Sequence, residues 1–497
     1  MAALRISIVL LLHGFFLLGG NSLVAQDCLF DKRYQVSVSW SGSDNIIPFN
    51  NGYVVCGVAN NTLLAYDNTL ALVQFDSCGE LQFQKLYYKP FYDYYGSMPG
   101  GLIRTSSGML AQAGSVTDSA GDKSGYFTKF NFALDTVGFR LLDDTSYDCV
   151  LYRIKETRDK GFIMIGFSKS TGSTNFVLIK SDTSGSEVWR KEYGIAGLTE
   201  IGGSVDTTED GGYILGGFRR FTVNNRDSWV IKTDSLGNIE WQRIFSNELS
   251  ADVISLPGKE YLVATNYLDS SQSWMDFLRP YLLKLDSAGN ILWEQKYGES
   301  RFSNYIGNLT SSPDHKWLIA GTCNDSVSTV GTHLVGYIRC IDTSGTELWY
   351  RQYNKVQGPY SVNYLNNARQ YGNHIIACGF VQPLAPDTGQ QDFWIMKLDS
   401  FGCLDSPCDA VGINEPVQYN ESVSVYPNPS TGQVSFSFAR KVDGRIYLYN
   451  AQGQIVHTER IEGTNLATIT MEVPGIYFYV IEEPQGPGAK GKIIIQK

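Results

Sequence analysis

Histidine and charged residues are scarce in this sequence. It contains 5 His in 497 residues, and Asp, Glu, Lys and Arg make up 18% of it. No cluster of Lys and Arg of the nucleic-acid-binding type occurs, and the net charge is -10, so we expect no nucleic-acid partner. The motifs HExxH, paired CxxC, EF-hand loop, Walker loop and GxSxG are all missing. We therefore expect no catalytic residue of these types, no metal and no cofactor.

Long apolar runs are also missing, except near the N-terminus. Arg5 precedes the apolar run Ile6 to Leu18, and small residues lead from it to Ala25. This layout is typical of a secretory signal peptide, which we expect to cover residues 1–25. The apolar run is too short for a stable membrane span, so the mature chain is expected to be soluble or peripheral.

Glycine and aromatic residues are abundant instead. The 50 Gly and 13% aromatic residues favour short strands and tight turns over amphipathic helices. The phrase DxxG recurs in register six times, and a seventh, degenerate copy begins with Asn. The copies begin at Asp76, Asn131, Asp182, Asp234, Asp286, Asp342 and Asp399. They are 51 to 57 residues apart, which makes them a repeat with a period near fifty.

Each unit has the pattern of three strands with a weaker fourth strand in front. The best copy reads DGGYILGGF (210–218), SWVIKTD (228–234) and IEWQRIF (239–245). Four short strands per unit, seven times over, are the sequence form of a β-propeller. A single four-stranded unit cannot bury both of its faces and must stack on its neighbours. We therefore predict an all-β fold with a seven-bladed β-propeller over residues 26–408.

The repeated phrase fits a structural role. Asp can accept hydrogen bonds from backbone amides two or three residues on, and Gly tolerates positive φ, so DxxG predicts a tight hairpin turn. Four copies place a Trp four residues after the Gly, where the ring is expected to wedge between blades. These residues are Trp189, Trp241, Trp293 and Trp349.

The repeats resemble the propeller repeats of quinoprotein dehydrogenases and of outer-membrane assembly propellers, whose docking motif also ends in a turn Gly and a Trp. They resemble the sialidase Asp-box more distantly, because the Ser and the GxxW spacing of that motif are missing. Neither resemblance transfers catalytic residues to this chain.

The seventh unit stops without its last strand. Its sequence is DFWIMKLDSFGCLDSPCD (392–409), and it lacks the strand that follows the DxxG turn in the other units. At the other end, RYQVSVSW (33–40) alternates like a strand. We predict that residues 33–40 complete blade seven. Such a clasp would close the ring and remove free strand edges, which invite pairing with other chains.

Eight of the nine cysteines fall into two groups. Four of them, Cys56, Cys323, Cys340 and Cys378, are interpreted as small core residues. The disulfide candidates are Cys28, Cys403 and Cys408, because the predicted clasp brings Cys28 beside the last turn, and disulfides persist in secreted proteins. We expect Cys28 to bond Cys403 or Cys408. A local bridge between Cys403 and Cys408 is the alternative, and Cys78, in the equivalent turn of the neighbouring blade, is a further candidate.

A second domain follows a segment of linker composition, residues 409–421. Residues 422–497 contain alternating segments and the hairpin turn NAQGQ, which predict a small β-sandwich. From end to end they closely resemble the type A C-terminal sorting domain of the type IX secretion system of Bacteroidetes. The residues that carry the resemblance are Tyr426, Pro427, Asn428, Pro429, Gly432, Gly475, Tyr477 and Lys497.

This resemblance implies export. A sorting domain of this type is recognised by an outer-membrane translocon after the signal peptide has led the chain to the periplasm. It is commonly removed afterwards, and the passenger is released or attached to surface lipopolysaccharide. The propeller would be that passenger.

One aromatic insertion, LYYKPFYDYYG (86–96), is a candidate binding surface. Its residues Tyr92, Tyr94 and Tyr95 could stack on sugar rings or grip a peptide, or the segment could be an outer strand and loop packed on blade two. Three functions remain open: a binding or adhesion propeller for an unknown glycan or protein, a polysaccharide-active enzyme with a site on the propeller axis, and a surface structural protein. The enzyme is favoured only if a central pocket gathers two carboxylates with raised pKa values.

Overall fold

The computed structural model describes residues 28–496 except 38–39, 62–66, 89–91, 96–98, 143–147, 171, 223–224, 247, 250, 269–277, 299–302, 325–332, 358–359, 383–390, 405–422, 451–453 and 484–485. Every regular element within these ranges is a β-strand, and they contain no helix long and apolar enough to cross a membrane. The chain divides into two compact units, Met1–Ala410 and Val411–Lys497. The predicted signal peptide (1–25) and linker (409–421) lie outside the described residues.

The first unit is a succession of antiparallel strand sets, named here set 1 to set 7, preceded by one strand. Strand β1 is Phe30–Tyr34. Set 1 contains β2 Ser41–Phe49, β3 Gly52–Asn61, β4 Asp67–Asp76 and β5 Leu81–Tyr87. Set 2 contains β6 Asp93–Tyr95, β7 Leu102–Arg104, β8 Leu110–Thr117, β9 Lys123–Phe130 and β10 Thr136–Leu142. Set 3 contains β11 Asp148–Glu156, β12 Phe162–Ser170, β13 Ser173–Ser181 and β14 Glu187–Tyr193.

The later sets repeat this order. Set 4 contains β15 Thr199–Thr207, β16 Tyr213–Thr222, β17 Asn225–Thr233 and β18 Ile239–Ser246. Set 5 contains β19 Asp252–Leu256, β20 Glu260–Leu268, β21 Leu278–Leu285 and β22 Ile291–Lys296. Set 6 contains β23 Asn304–Ser311, β24 Trp317–Asn324, β25 Leu334–Ile341 and β26 Glu347–Tyr353. Set 7 contains β27 Val362–Tyr371, β28 His374–Gln382 and β29 Asp392–Asp399.

Within each set, consecutive strands pair antiparallel, except that β6 and β7 of set 2 both pair with β8. The first unit is therefore an all-β, propeller-like fold of several sheets. A single parallel pair, Thr174 with Thr199, joins sets 3 and 4 into one sheet, and Leu334 with Val362 does the same for sets 6 and 7. The central strands of the sets are almost fully buried, and their apolar side chains form clusters shared by consecutive sets.

All seven copies of the repeated phrase form the same turn. The first side chain, Asp or Asn131, accepts hydrogen bonds through Oδ1 from the backbone amides two and four residues on, at 2.8 to 2.9 Å. The amide three residues on is not available to it, because it donates to the backbone carbonyl of the same Asp or Asn. That third residue has positive φ in every copy, including Leu134 in the degenerate one.

Strand β1 pairs antiparallel with β29 and takes the outer position in set 7. The pairing segment is Phe30–Tyr34, so the predicted bounds 33–40 are wrong. The reason is visible in sets 3, 5 and 6, where a Tyr at the end of the outer strand donates a hydrogen bond from its hydroxyl group to the turn Gly carbonyl of the next set, as Tyr193 does to Gly237 at 2.7 Å. Tyr34 is that residue in β1, because its hydroxyl group donates to the carbonyl of Gly79 in set 1.

The disulfide pairing also differs from the expectation. Cys28 is bonded to Cys78 in the turn of set 1, so the expectation that it bonds Cys403 or Cys408 is wrong. Strand β1 is the outer strand of set 7 and faces the turn of the next set, as Tyr34 shows, and this brings Cys28 to Cys78. Cys403 is disulfide-bonded as well, and Cys408 lies outside the described residues. The four cysteines expected in the core are buried free thiols.

The second unit is one five-stranded antiparallel sheet. Its strands are β30 Val423–Tyr426, β31 Gln433–Tyr449, β32 Ile455–Thr470, β33 Gly475–Glu483 and β34 Gly486–Ile495. The long strand β31 pairs with β32 over most of its length, with β30 near its start and with β33 near its end. Fourteen buried side chains from these strands form one hydrophobic cluster. The second unit is thus all-β with one core, and its arrangement as a sandwich stays a prediction.

Candidate functional site

A cavity of about 430 Å³ is lined by residues from all seven sets of the first unit. We call it the central cavity. Most of its lining belongs to the first strand of each set or to the residues just before it. The side chains that define its chemistry are Trp40, Asp44, Tyr152, Arg153, Ser204, Asp252, Asn266, Tyr305, Tyr364, Asn366 and Phe380.

A β-bulge recurs in the first strands and shapes this cavity. In β2, β11, β15, β23 and β27 the pairing register skips one residue at the same place in the unit. A bulge leaves one residue out of the ladder and re-aims its side chain. The skipped residues are Asp44, Tyr152, Gly203, Gly307 and Asn366, and all five line the central cavity.

Aromatic rings cover the wall formed by sets 6 and 7. Tyr364 and Phe380 stack with their ring centroids 5.0 Å apart and an interplanar angle of 3°. Tyr305 lies beside them, 6.4 Å from Tyr364 between centroids, and 42% of its surface is exposed. Trp40, 40% exposed, also lines the cavity. These rings offer flat apolar faces in a partly solvated site.

Asp44 is a carboxyl group with altered acidity on the cavity wall. Burial disfavours its charged form and raises the pKa of Asp44 to about 8. The group is therefore mostly protonated at neutral pH. In that state it can donate as well as accept a hydrogen bond.

The second carboxyl group of the lining, Asp252, is held in a buried network. Its Oδ1 lies 2.5 Å from Arg153 Nη1 and accepts a hydrogen bond from Ser204 Oγ at 2.6 Å. Its Oδ2 accepts the backbone amide of Leu309 at 3.0 Å. These bonds tie sets 3, 4, 5 and 6 together around the cavity. The first role of Asp252 is therefore structural.

This arrangement suits binding better than two-carboxylate hydrolysis. Such hydrolysis needs one carboxyl group as acid and a second as nucleophile or base, and the second one here is already engaged by Arg153 and Ser204. Asp44 is the lining carboxyl group whose pKa is raised. Among the described residues, no group of His, Cys, Asp and Glu is arranged to hold a metal ion.

The residues Tyr92, Tyr94 and Tyr95 lie apart from the central cavity. Tyr94 is 6% exposed and packs edge-on against Tyr126 at 5.6 Å between centroids. Tyr92 is partly buried against the same cluster, while Tyr95 is 44% exposed. The structure thus gives Tyr94 a packing role and leaves Tyr95 accessible. That the three tyrosines bind a ligand stays a prediction.

One Ser–His contact occurs between sets 6 and 7. Ser361 Oγ and His333 Nδ1 are hydrogen-bonded, and His333 Nε2 lies 2.9 Å from Asn354 Nδ2. Ser361 is fully buried, so no substrate can reach its hydroxyl group. This pair therefore stabilises the fold and is not a candidate nucleophile.

The residues of the sorting motif are distributed over several strands and turns of the second unit. Asn428 holds β34 through two hydrogen bonds of 2.8 Å, to the carbonyl of Lys492 and from the amide of Ile494. Tyr477 is buried in the hydrophobic cluster, whereas Tyr426 is 51% exposed. Lys497 lies outside the described residues.

Sequence reasoning missed the residues of the central cavity. Asp44, Arg153 and Tyr364 lie on the first strand of their units, which has the weakest pattern in the repeat. The available signal was the extra residue of the bulge, which breaks strict alternation in that strand. The bulge can be located only from the pairing register of the strands, which the amino-acid sequence does not show directly.

Comparisons with known proteins bear on both units. Residues 424–496 match the family model described as "Secretion system C-terminal sorting domain". No curated protein matches the chain significantly in sequence. The polysaccharide lyase Uly1 has a similar structure at 8% identity, with 72% of this chain and 90% of that chain covered and a TM-score of 0.44.

Two further solved structures have similarly low sequence identity and TM-scores. The β-propeller domain of the Trilobed protease from Pyrococcus furiosus is 8% identical, with 72% of this chain and 97% of that chain covered and a TM-score of 0.41. An α-L-arabinofuranosidase from Fusarium graminearum is 12% identical, with 60% and 91% covered and a TM-score of 0.38. These likenesses are too distant to assign an activity. The family match confirms the resemblance of the C-terminal residues, and residues 424–496 belong to the family of secretion-system C-terminal sorting domains, which directs the chain to export.

Proposed function

We propose that the first unit is a seven-bladed β-propeller that binds a glycan in its central cavity, and that the chain is exported with it as passenger. Each strand set would be one blade, with β1 as the outer strand of blade seven. The Tyr34 contact to Gly79 supports this ring, because it repeats between sets 7 and 1 the contact that Tyr193 makes between sets 3 and 4. We propose the domain bounds that the sequence predicts: a propeller over 26–408, a linker over 409–421 and a sorting sandwich over 422–497.

The single observation that carries the function is the lining of the central cavity. Sugars present flat apolar faces edged by hydroxyl groups, and aromatic rings with polar neighbours are complementary to both. Tyr305, Tyr364 and Phe380 supply the rings, while Asn266, Asn366 and Asp44 supply polar groups. A cavity of about 430 Å³ has the size of small-molecule sites, enough for a short oligosaccharide segment.

Export would determine where in or outside the cell the glycan is bound. The sorting domain implies recognition by the type IX secretion machinery, and the predicted signal peptide would lead the chain to the periplasm first. We propose that the mature protein works at the cell surface or in the medium. Attachment to surface lipopolysaccharide is one way to retain it there.

A glycan array probed with the purified protein, paired with a hydrolysis screen on the same glycans, tests the proposal. Binding without product release is the expected result. Failure to bind any glycan while the protein remains folded would favour the surface structural protein. Detergent-free cell fractionation with and without the sorting domain would test the location separately.

A polysaccharide-active enzyme is the second candidate, and Asp44 is the observation that favours it. A carboxyl group with a pKa of about 8 is protonated at neutral pH and can act as a general acid. Under this alternative the screen detects product, and Asp44→Asn abolishes its release while leaving glycan binding in place. Product release that survives Asp44→Asn would exclude this role for Asp44.

A further inference from the structure

The β-bulges of the first strands give the central cavity three polar side chains. The residues skipped in the pairing register include Asp44, Tyr152 and Asn366, and all three line the cavity. Each of them is partly exposed. By contrast, Asn45, next to the bulge of β2, is buried and accepts a hydrogen bond from the backbone amide of Gly100. The bulge thus frees one side chain of the strand for contact with the cavity.

These three side chains keep hydrogen-bonding groups that the fold does not use. The Asp44 carboxyl group and the Tyr152 hydroxyl group have no hydrogen-bond partner among the described residues. Asn366 donates from Nδ2 to the carbonyl of Ser43 at 2.9 Å, and its Oδ1 has no partner in the described part of the chain. Polar groups in folded proteins are normally hydrogen-bonded to protein or water. Groups left open toward a cavity are therefore available to a ligand.

The same three side chains are uncharged at neutral pH. Burial raises the pKa of Asp44 to about 8 and the pKa of Tyr152 to about 12, so both groups hold their protons. The amide of Asn366 does not ionise. A protonated carboxyl group and a hydroxyl group can each donate and accept a hydrogen bond. Sugar hydroxyl groups do the same, so the two sides are complementary without any charge.

The charged side chains of the lining neutralise each other. Arg153 Nη1 and Asp252 Oδ1 are 2.5 Å apart. Arg226 and Arg369 interact electrostatically with lining residues, but neither of them lines the cavity. A carboxylate or sulfate group that entered the cavity would lose part of its hydration without forming an ion pair with a free lining cation, which is unfavourable.

We infer that the central cavity recognises an uncharged glycan and that the bulge residues Asp44, Tyr152 and Asn366 bind its hydroxyl groups. This inference rests on the proposed glycan-binding function and adds the class of ligand and the residues that select it. The aromatic wall of sets 6 and 7 stacks on the sugar rings. The bulge residues come from sets 1, 3 and 7, so they determine which positions of the hydroxyl groups fit.

Matched pairs of glycans test the class of ligand. Cellohexaose, laminarihexaose, mannohexaose and galactohexaose are printed on an array, each beside the same oligosaccharide with its primary hydroxyl groups oxidised to carboxylates. Each pair that binds is then measured by titration calorimetry. We expect the uncharged member of at least one pair to bind tenfold or more tightly than its oxidised form, with an affinity that added salt changes little.

Two tyrosine variants test the role of the bulge. Tyr152→Phe removes a hydroxyl group that bonds no described residue, so the affinity for the uncharged glycan should fall severalfold while the melting temperature is kept. Tyr193→Phe is the matched control, because its hydroxyl group donates to the carbonyl of Gly237 at 2.7 Å and lies in the contact between sets 3 and 4. This variant should lower the melting temperature and keep the affinity.

The outcomes separate this inference from the function on which it rests. If an oxidised glycan binds as tightly as its uncharged form, or more tightly, the inference is overturned while glycan binding stands. The same holds if Tyr152→Phe keeps the full affinity of the wild-type protein. If the folded wild-type protein binds no glycan of either kind, both the inference and the proposed function fail.

Discussion

Trp241 of set 4 packs against Gly289 in the turn of set 5. A Cβ placed on Gly289 would lie 2.9 Å from the Trp241 ring, and the indole Nε1 donates a hydrogen bond to the carbonyl of Ser287 in the same turn at 2.9 Å. The same approach of a Trp to the next turn Gly recurs at Trp189 with Gly237, at Trp293 with Gly345 and at Trp349 with Gly402. The turn formed by the repeated phrase therefore contacts the Trp of the preceding set.

Gly289→Ala should destabilise the first unit for two reasons. The residue has φ of +78°, which costs an alanine about 1 kcal/mol, and the new methyl group would displace Trp241. We expect a total loss of roughly 2 to 4 kcal/mol in the free energy of unfolding, measured by denaturant titration. Gly258→Ala is the matched control, because its φ is +80° and nothing lies within 4 Å of the added Cβ. Equal losses in the two variants would contradict the packing role of Trp241.

The repeat itself could be predicted from the sequence, and the reason is physical. A turn that needs an Asp acceptor and positive φ allows few residue types, so seven copies remain recognisable. Even the degenerate copy at Asn131 keeps the same bonds. The alternation in 33–40 predicts a start three residues too late for the outer strand of set 7. The better marker is the Tyr that ends the outer strand in several other sets.

The central cavity could not be predicted in the same way. It is built from single residues of distant units, such as Asp44 and Arg153, that converge only through the arrangement of the sets. The sequence around each of these residues predicts a strand, and many residue types are compatible with a β-bulge in that strand. The residue at the bulge differs from set to set, so no repeat reveals these residues.

The Cys28–Cys78 bond should contribute substantially to stability. It closes a segment with a sequence separation of 50, for which the chain-entropy model gives about 4 kcal/mol. We expect Cys28→Ser with Cys78→Ser to lower the midpoint of chemical unfolding by a corresponding amount. Non-reducing peptide mapping should find the Cys28 and Cys78 peptides linked. A peptide linking Cys28 to Cys403 would contradict the pairing.

Glu248 should make the stability of the first unit fall as pH rises from about 4.5 to about 8. Burial, aided by the charge of Glu294, raises the pKa of Glu248 to about 8, from 4.5. The folded state therefore holds its proton more tightly than the unfolded state, and stability falls as pH rises from about 4.5 to about 8. Glu248→Gln should remove a few kcal/mol of this loss and raise the melting temperature at pH 9 but not at pH 4. Asp122→Asn, at an exposed site, should leave the pH profile unchanged. A wild-type profile retained in Glu248→Gln would refute this assignment.

Binding of a glycan in the central cavity should weaken as pH rises through about 8. Above this value Asp44 becomes negatively charged and can no longer donate a hydrogen bond to a sugar hydroxyl group. Asp44→Asn should bind with nearly equal affinity at pH 6 and pH 9, while the wild-type protein loses affinity severalfold over the same range. Titration calorimetry at both pH values measures this. An equal decline in both proteins would show that another group is responsible.

The proposal that a glycan binds in the central cavity is tested most directly by measuring the affinity of two tyrosine variants for one bound glycan. Tyr364→Ala removes a ring from the central cavity, and Tyr95→Ala removes an exposed ring from the aromatic insertion. We expect Tyr364→Ala to lose tenfold or more in affinity, about 1.4 kcal/mol. Tyr95→Ala should bind as the wild-type protein does, and both variants should keep their melting temperatures within a few degrees. Full affinity in a folded Tyr364→Ala variant, with the loss found in Tyr95→Ala, would contradict it and move the binding site to the insertion.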